Sequence, residues 1–252
     1  MNIRAVVQEY GDGFYAIRYG KEYIRGALGE PLVHRSREVM EYLAAHINTK
    51  KQSERGFALD EPYATLYYTL SWLPVIENRA DPISLDPHWV ISCDPVFHLE
   101  PGPPMIQVQM AAYEPVKAWL EELGTDYVDL PLLYLFSEKD LEEARKEPGN
   151  YIGEENSSLI LDEWNALTDA GKALACFIQY NTLPHSRNSL CGAILLLQGR
   201  ITGQEWAEIS CAAGNISPLL GDVSKKDFNN HMKYYQAVAG SIPEVLRLLN
   251  PS

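Results

Sequence analysis

The chain has 252 residues, with 21 lysines and arginines against 34 aspartates and glutamates, and therefore a formal net charge of −13 at pH 7. That excess of acid argues against a nucleic-acid partner, because such a protein must neutralise phosphates. The longest mostly apolar run, residues 190–197, is far short of the roughly 20 residues that a membrane-spanning helix needs, so no membrane insertion is expected.

In chain order, the first sixty residues read as β-rich. Residues 4–9 and 14–19 bracket Gly11-Asp12-Gly13, and Gly20-Lys21 turns the chain into a third short strand over 22–25. After Pro31 the period changes: Ser36 is an N-cap, and Val39, Met40, Leu43, Ala44 and Ile47 recur at helical spacing. The polar residues 48–56 read as a linker or exposed loop. From Tyr63, the positions Leu66, Tyr67, Leu70 and Leu73 form a helical stripe that Pro74 kinks or ends. Asp-Pro pairs at 81, 86 and 94 then punctuate short pieces, of which 89–92 is the best strand. One long helix is predicted over 106–123, with Pro115 inside it, followed by a short strand near 128–136 that Pro131 places at a sheet edge.

Everything beyond Ser137 reads as helical. Ser137 caps a charged helix, with Asp140 at the capping-box position. Further helices are predicted over 158–180 and 189–197, from Thr202-Gly203-Gln204-Glu205 onward, and over 224–249 with a break near Gly240 and Pro243. The fold class is α+β: a small β-rich N-terminal domain, residues 1–58, followed by a mainly α-helical C-terminal domain, residues 59–252.

Enzyme signatures are absent: there is no Gly-x-x-x-x-Gly-Lys loop, Gly-x-Gly-x-x-Gly, Gly-x-Ser-x-Gly or His-Glu-x-x-His. His88, Cys93 and His98 are zinc-ligand types without a second half-site, so they read as core or turn residues and neither metal nor cofactor is expected. His185, Ser186 and Ser189 with Asp169 can be drawn as a nucleophile set, but Pro184 to Ser189 reads more simply as a loop and a helix cap. The four cysteines form no Cys-x-x-Cys pair, and the first residues run into an alternating pattern and not into a signal peptide. Both point to free thiols in a reducing compartment, so a cytoplasmic location is expected. Fifteen tyrosines and five tryptophans are more than a core requires, and they crowd at Tyr63, Tyr67, Tyr68 and Trp72 and again at Tyr113 and Trp119. Such rings anchor protein interfaces.

At one place the pattern is specific. Gln109-x-x-x-Tyr113-Glu114-Pro115-Val116-x-x-Trp119, followed by Leu123-Gly124, resembles the central motif of the assembly chaperones that escort the alpha subunit of the rotary ATP synthase in mitochondria and alpha-proteobacteria. Weaker similarity covers Phe14 to Lys21, Val39 to Ile47 and Leu190 to Ser210. The resemblance implies a non-enzymatic chaperone that binds an exposed apolar interface of an unassembled protein client, the alpha subunit. It also implies partner contacts at Tyr113, Glu114, Trp119 and Glu205, beside the Tyr63 to Trp72 stripe. The chain departs from the family pattern at His46-Ile47, where a Glu-Trp pair is usual, and at Ala212 to Ser217, where an acidic run is usual. These departures open a second reading, a protein-binding adaptor on the same scaffold with another client. A small enzyme using His185 and Ser186 is a third.

Overall fold

The computed structural model describes residues 3–50, 52–53, 56–100, 102–125, 138–181, 188–220 and 223–250. Strands β1 (Ala5–Gly11) and β2 (Phe14–Tyr19) form an antiparallel hairpin with Val7 opposite Ile17 and Glu9 opposite Tyr15. Asp12 and Gly13 turn it at φ 50° and 77°, a left-handed pair that Asp-Gly tolerates. Strand β3 (Glu22–Tyr23) pairs the end of β2 and β4 (Val33–His34) its beginning, so β2 is the centre of a four-stranded antiparallel sheet.

The sheet packs on α1 (Arg37–Ile47), whose cap is the predicted one: the Ser36 hydroxyl accepts from the Val39 amide at 3.3 Å. The helix buries the five residues that its periodicity named, Val39, Met40, Leu43, Ala44 and Ile47. Just past its end, Asn48 accepts from the Ala5 amide at 2.7 Å and donates to the Ala5 carbonyl at 3.0 Å, which fixes the helix to the first strand. The stretch read as a loop holds a small pair, β5 (Gln52–Ser53) and β6 (Gly56–Phe57), too short to leave an alternating signal.

The helical part begins with α2 (Tyr63–Glu77), which runs through Pro74 because packing along its length outweighs the one amide that proline lacks. Next come α3 (Pro82–Leu85) and α4 (Pro87–Ser92), so the strand predicted at 89–92 is a helical turn. The overlooked signal is proline at the first helical position, Pro87 in α4 as Pro82 in α3, where Asp81 also accepts from the Ser84 amide at 2.9 Å. The long helix predicted over 106–123 is two, α5 (Met105–Ala112) and α6 (Glu114–Glu122), joined at Tyr113. Pro115 forces the join, since it lacks an amide and its ring would press on the carbonyl four residues back.

The strand predicted at 128–136 and the cap at Ser137 lie outside the described residues. There follow α7 (Glu138–Ala144), α8 (Glu154–Asn165) and α9 (Asp169–Asn181). The single helix predicted over 158–180 is thus interrupted at 166–168, and the Thr168 hydroxyl accepts from the Gly171 amide at 3.1 Å. Helix α10 (Leu190–Leu197) is buried nearly throughout and capped by Ser189, and α11 (Gly203–Ala213) opens with a full capping box between Thr202 and Glu205. Finally, α12 (Lys225–Leu249) is unbroken at Gly240 and Pro243. Its buried face, with Met232, Tyr235, Val238, Ile242 and Val245, outweighs the propensity lost at those two residues.

One apolar cluster runs from Ala5 and Ile17 in the sheet through α1 and α2 to Val245 on α12. No described helix is long and apolar enough to cross a membrane. Helices α11 and α12 meet at Gly203, where an added Cβ would lie 2.9 Å from that of Ala239. Gly203→Ala is expected to lower stability by about 1–3 kcal/mol by forcing the helices apart, read as a drop in the thermal midpoint.

Candidate functional site

Between the strand-rich head and the helices lies a groove of about 1080 Å³. The β2–β3 turn with Tyr19 and Tyr23 forms one lip, and Leu59, Asp60 and Glu61 another. Tyr67, Tyr68, Phe177 and Tyr234 are on the helical side. The phase of α2 explains the arrangement. Leu66 and Leu70 turn into the core at 0% and 1% exposure, while Tyr67 and Tyr68 fall on the flank and stay half-buried.

These rings are held. The Tyr67 hydroxyl donates to the Arg25 carbonyl at 2.7 Å and Ser71 Oγ accepts from the Ala27 amide at 3.0 Å, which fastens the head to α2. Tyr68 stacks on Phe177 at 5.1 Å between centroids, with Tyr67 edge-on to Tyr68 at 5.2 Å. The Glu61 carboxylate accepts from the Thr65 amide at 3.2 Å and from its hydroxyl at 2.6 Å. Asp60 is paired with Lys50, which holds its carboxyl below the usual range. Burial raises the phenols of Tyr67 and Tyr234, and the nearby Glu61 charge adds to the effect on Tyr234.

The rest of the aromatic stripe is used elsewhere. Tyr63 is sandwiched between His46 and Tyr42, at centroid distances of 3.7 and 4.8 Å, and Tyr42 donates to Glu244 at 2.7 Å. Trp72 packs against Tyr180 at 5.6 Å. Burial draws the His46 imidazole below its ordinary pKa, with Lys50 acting in the same direction.

The residues named from the motif lie away from the groove lining. Tyr113 and Trp119 are 0% and 2% exposed, so their rings reach a partner only through the shape they give the α5–α6 junction. Glu114 is exposed in the first turn of α6. Glu205 closes the capping box of α11, and its bonds from the Thr202 amide and hydroxyl hold the carboxyl below the usual range. Gln109, quoted only as the first letter of the motif, is a tie between elements. Its oxygen accepts from the Glu100 amide at 2.7 Å, and its nitrogen donates to the Ala212 carbonyl at 3.3 Å and to Asn215 Oδ1 at 3.2 Å. A long-range tie of this kind leaves no local periodicity to read.

The two histidines considered as ligands serve the structure: His88 meets Ser157, and His98 Nε2 meets the Ser92 carbonyl at 2.7 Å. Among the described residues no three His, Cys, Asp or Glu are placed to hold a metal. His185 and Ser186 lie outside the described residues, Ser189 is a buried cap, and Asp169 is exposed at the start of α9.

No family model matches the sequence, and neither does any curated protein. The structure does find counterparts. The crystal structure of Atp12 from Paracoccus denitrificans superposes at a TM-score of 0.52 and 11% identity, over 98% of this chain and 96% of that one. A single-residue variant of the same protein gives 0.53 and 10% over the same shares. The chain has the Atp12 fold. A looser likeness, TM-score 0.49 at 14% identity, covers 95% of this chain and 84% of the Atu1473 protein of Agrobacterium tumefaciens. The Atp12 fold takes in head and helices together, since the superposition runs over nearly the whole of both chains.

Proposed function

We propose that the protein is a non-enzymatic assembly chaperone that covers an exposed apolar interface of an unassembled subunit in a bacterial cytoplasm, and that its client is the alpha subunit of ATP synthase. The observation that carries this reading is the end-to-end likeness to Atp12, the alpha-subunit chaperone that the motif Gln109 to Trp119 also resembles. The chemistry agrees with it. Covering an apolar patch needs a ring-lined concavity with polar edges and a binding energy below that of the final assembly contact. The head–helix groove has that composition. In this reading Tyr113 and Trp119 set the shape of the α5–α6 corner, and Glu114 at its surface and Glu205 at the start of α11 are polar contacts.

The adaptor reading is favoured by one feature, the segment Ala212 to Ser217, which carries no carboxylate and whose Asn215 is bonded to Gln109 and Glu100. Co-expression separates the two readings. Soluble yield of the alpha subunit from the same organism is expected to rise several-fold with this protein, whereas an adaptor for another client leaves it unchanged.

A further inference from the structure

We infer that the head–helix groove binds a cationic side chain, an arginine or lysine of the client set among apolar residues, between the rings of Tyr68 and Tyr234 and the carboxylate of Glu61. All three line the same cavity. The reason is charge complementarity. Among the described residues Glu61 accepts only from Thr65 at the start of α2, and no lysine, arginine or histidine pairs with it. Its neighbour Asp60, by contrast, has Lys50. A half-buried carboxylate without a counter-ion among the described residues, in a cavity it shares with tyrosine rings, is a place where a cation gains from both.

The two cations on the head lip do not fill it. Arg25 is turned back on its own loop, donating to the Gly29 carbonyl at 2.7 Å, and Lys21 is exposed at the β2–β3 turn. The surrounding field points the same way, since a chain of net charge −13 draws a basic segment toward it. The rings take the apolar neighbours of the cation, and the tyrosine hydroxyls leave the rim wet.

The inference rests on the chaperone reading for the identity of the partner but is tested without it. The probe is a short blocked peptide of leucine, valine and alanine with one central arginine, against the same peptide with citrulline, which keeps the shape and loses the charge. Calorimetry at low salt is expected to give about tenfold tighter binding for the arginine peptide, a preference that shrinks to about twofold in Glu61→Gln. Glutamine preserves an acceptor for Thr65, and Tyr234→Leu, on another helix, is expected to weaken the arginine peptide while leaving the citrulline peptide nearly unaffected. Equal affinity for the two peptides, absence of binding, or an undiminished preference in Glu61→Gln overturns the inference. If these results appear while wild-type co-expression still solubilises the alpha subunit, the cation site fails and the chaperone reading stands. If co-expression fails while the peptide preference holds, the reverse is true.

Discussion

Trp119→Ala is expected to cost about 3–5 kcal/mol of global stability, measured as a shift of the urea midpoint, whereas Trp119→Phe costs about 1 kcal/mol. The side chain is 2% exposed, and on the same helix Val116 and Leu120 are fully buried. The indole nitrogen is buried with no acceptor among the described residues, so the ring contributes volume and not a hydrogen bond. Phenylalanine keeps most of that volume and removes the orphaned donor, which is why the two variants separate. The pair also decides what the tryptophan of the motif does. A residue held for direct partner contact would leave the urea midpoint unmoved when truncated and lose only binding.

The second large effect is at Asp94, which is completely buried where a loop meets the start of α10. One carboxylate oxygen accepts from the Val96 amide at 3.1 Å and the other from the Cys191 amide at 2.8 Å. Asp94→Ala leaves both amides without their acceptor, an expected loss of about 2–6 kcal/mol. The pH dependence has a definite sign. Burial raises this carboxyl above the usual aspartate range, and the amide bonds offset only part of the rise. The folded pKa therefore exceeds the unfolded one. The stabilisation from binding the proton is complete below the unfolded value and is lost as pH rises through the folded value. Asp94→Asn keeps an acceptor oxygen but cannot titrate. Its thermal midpoint relative to wild type is thus expected to climb as pH rises from about 4 toward neutrality. A difference that stays flat or falls over that range contradicts the burial argument.

Elements that carry their own cap or their own period were legible in the sequence. Ser36, Ser189 and Thr202 with Glu205 act as caps where local chemistry placed them, and the five apolar positions of α1 are its buried face. The α+β layout followed from the same signals. Where prolines decide, the reading failed in both directions. Pro115 ends one helix and opens the next, whereas Pro243 sits inside a helix that continues, as Pro74 does in α2 where a kink or an end was expected. The difference is tertiary: α2 and α12 pack along extended neighbours that outweigh a missing donor, and α5 does not. At 89–92 the β-branched and aromatic residues suggested a strand, but proline at the first helical position was the stronger signal.

The groove was only partly readable. Tyr67 and Tyr68 stood out as part of an aromatic cluster, whereas Tyr19 and Tyr23 on one turn, Glu61 and Tyr234 belong to three segments that meet only in the fold. Nothing local marks such residues, because each is unremarkable within its own strand or helix. The motif from Gln109 to Trp119 was legible as a pattern, but its physical role, a buried corner tied to the end of α11 through Gln109, depends on Ala212 and Asn215 a hundred residues downstream.

Whether the protein manages another chain's apolar surface is tested most directly by diluting chemically unfolded ATP synthase alpha subunit into buffer with an equimolar amount of this protein and following light scattering and co-elution. The expected result is suppressed scattering and a stable complex on size exclusion, from which the alpha subunit departs when its assembly partners are added. Scattering as strong as in the subunit alone, with no co-elution, would contradict it.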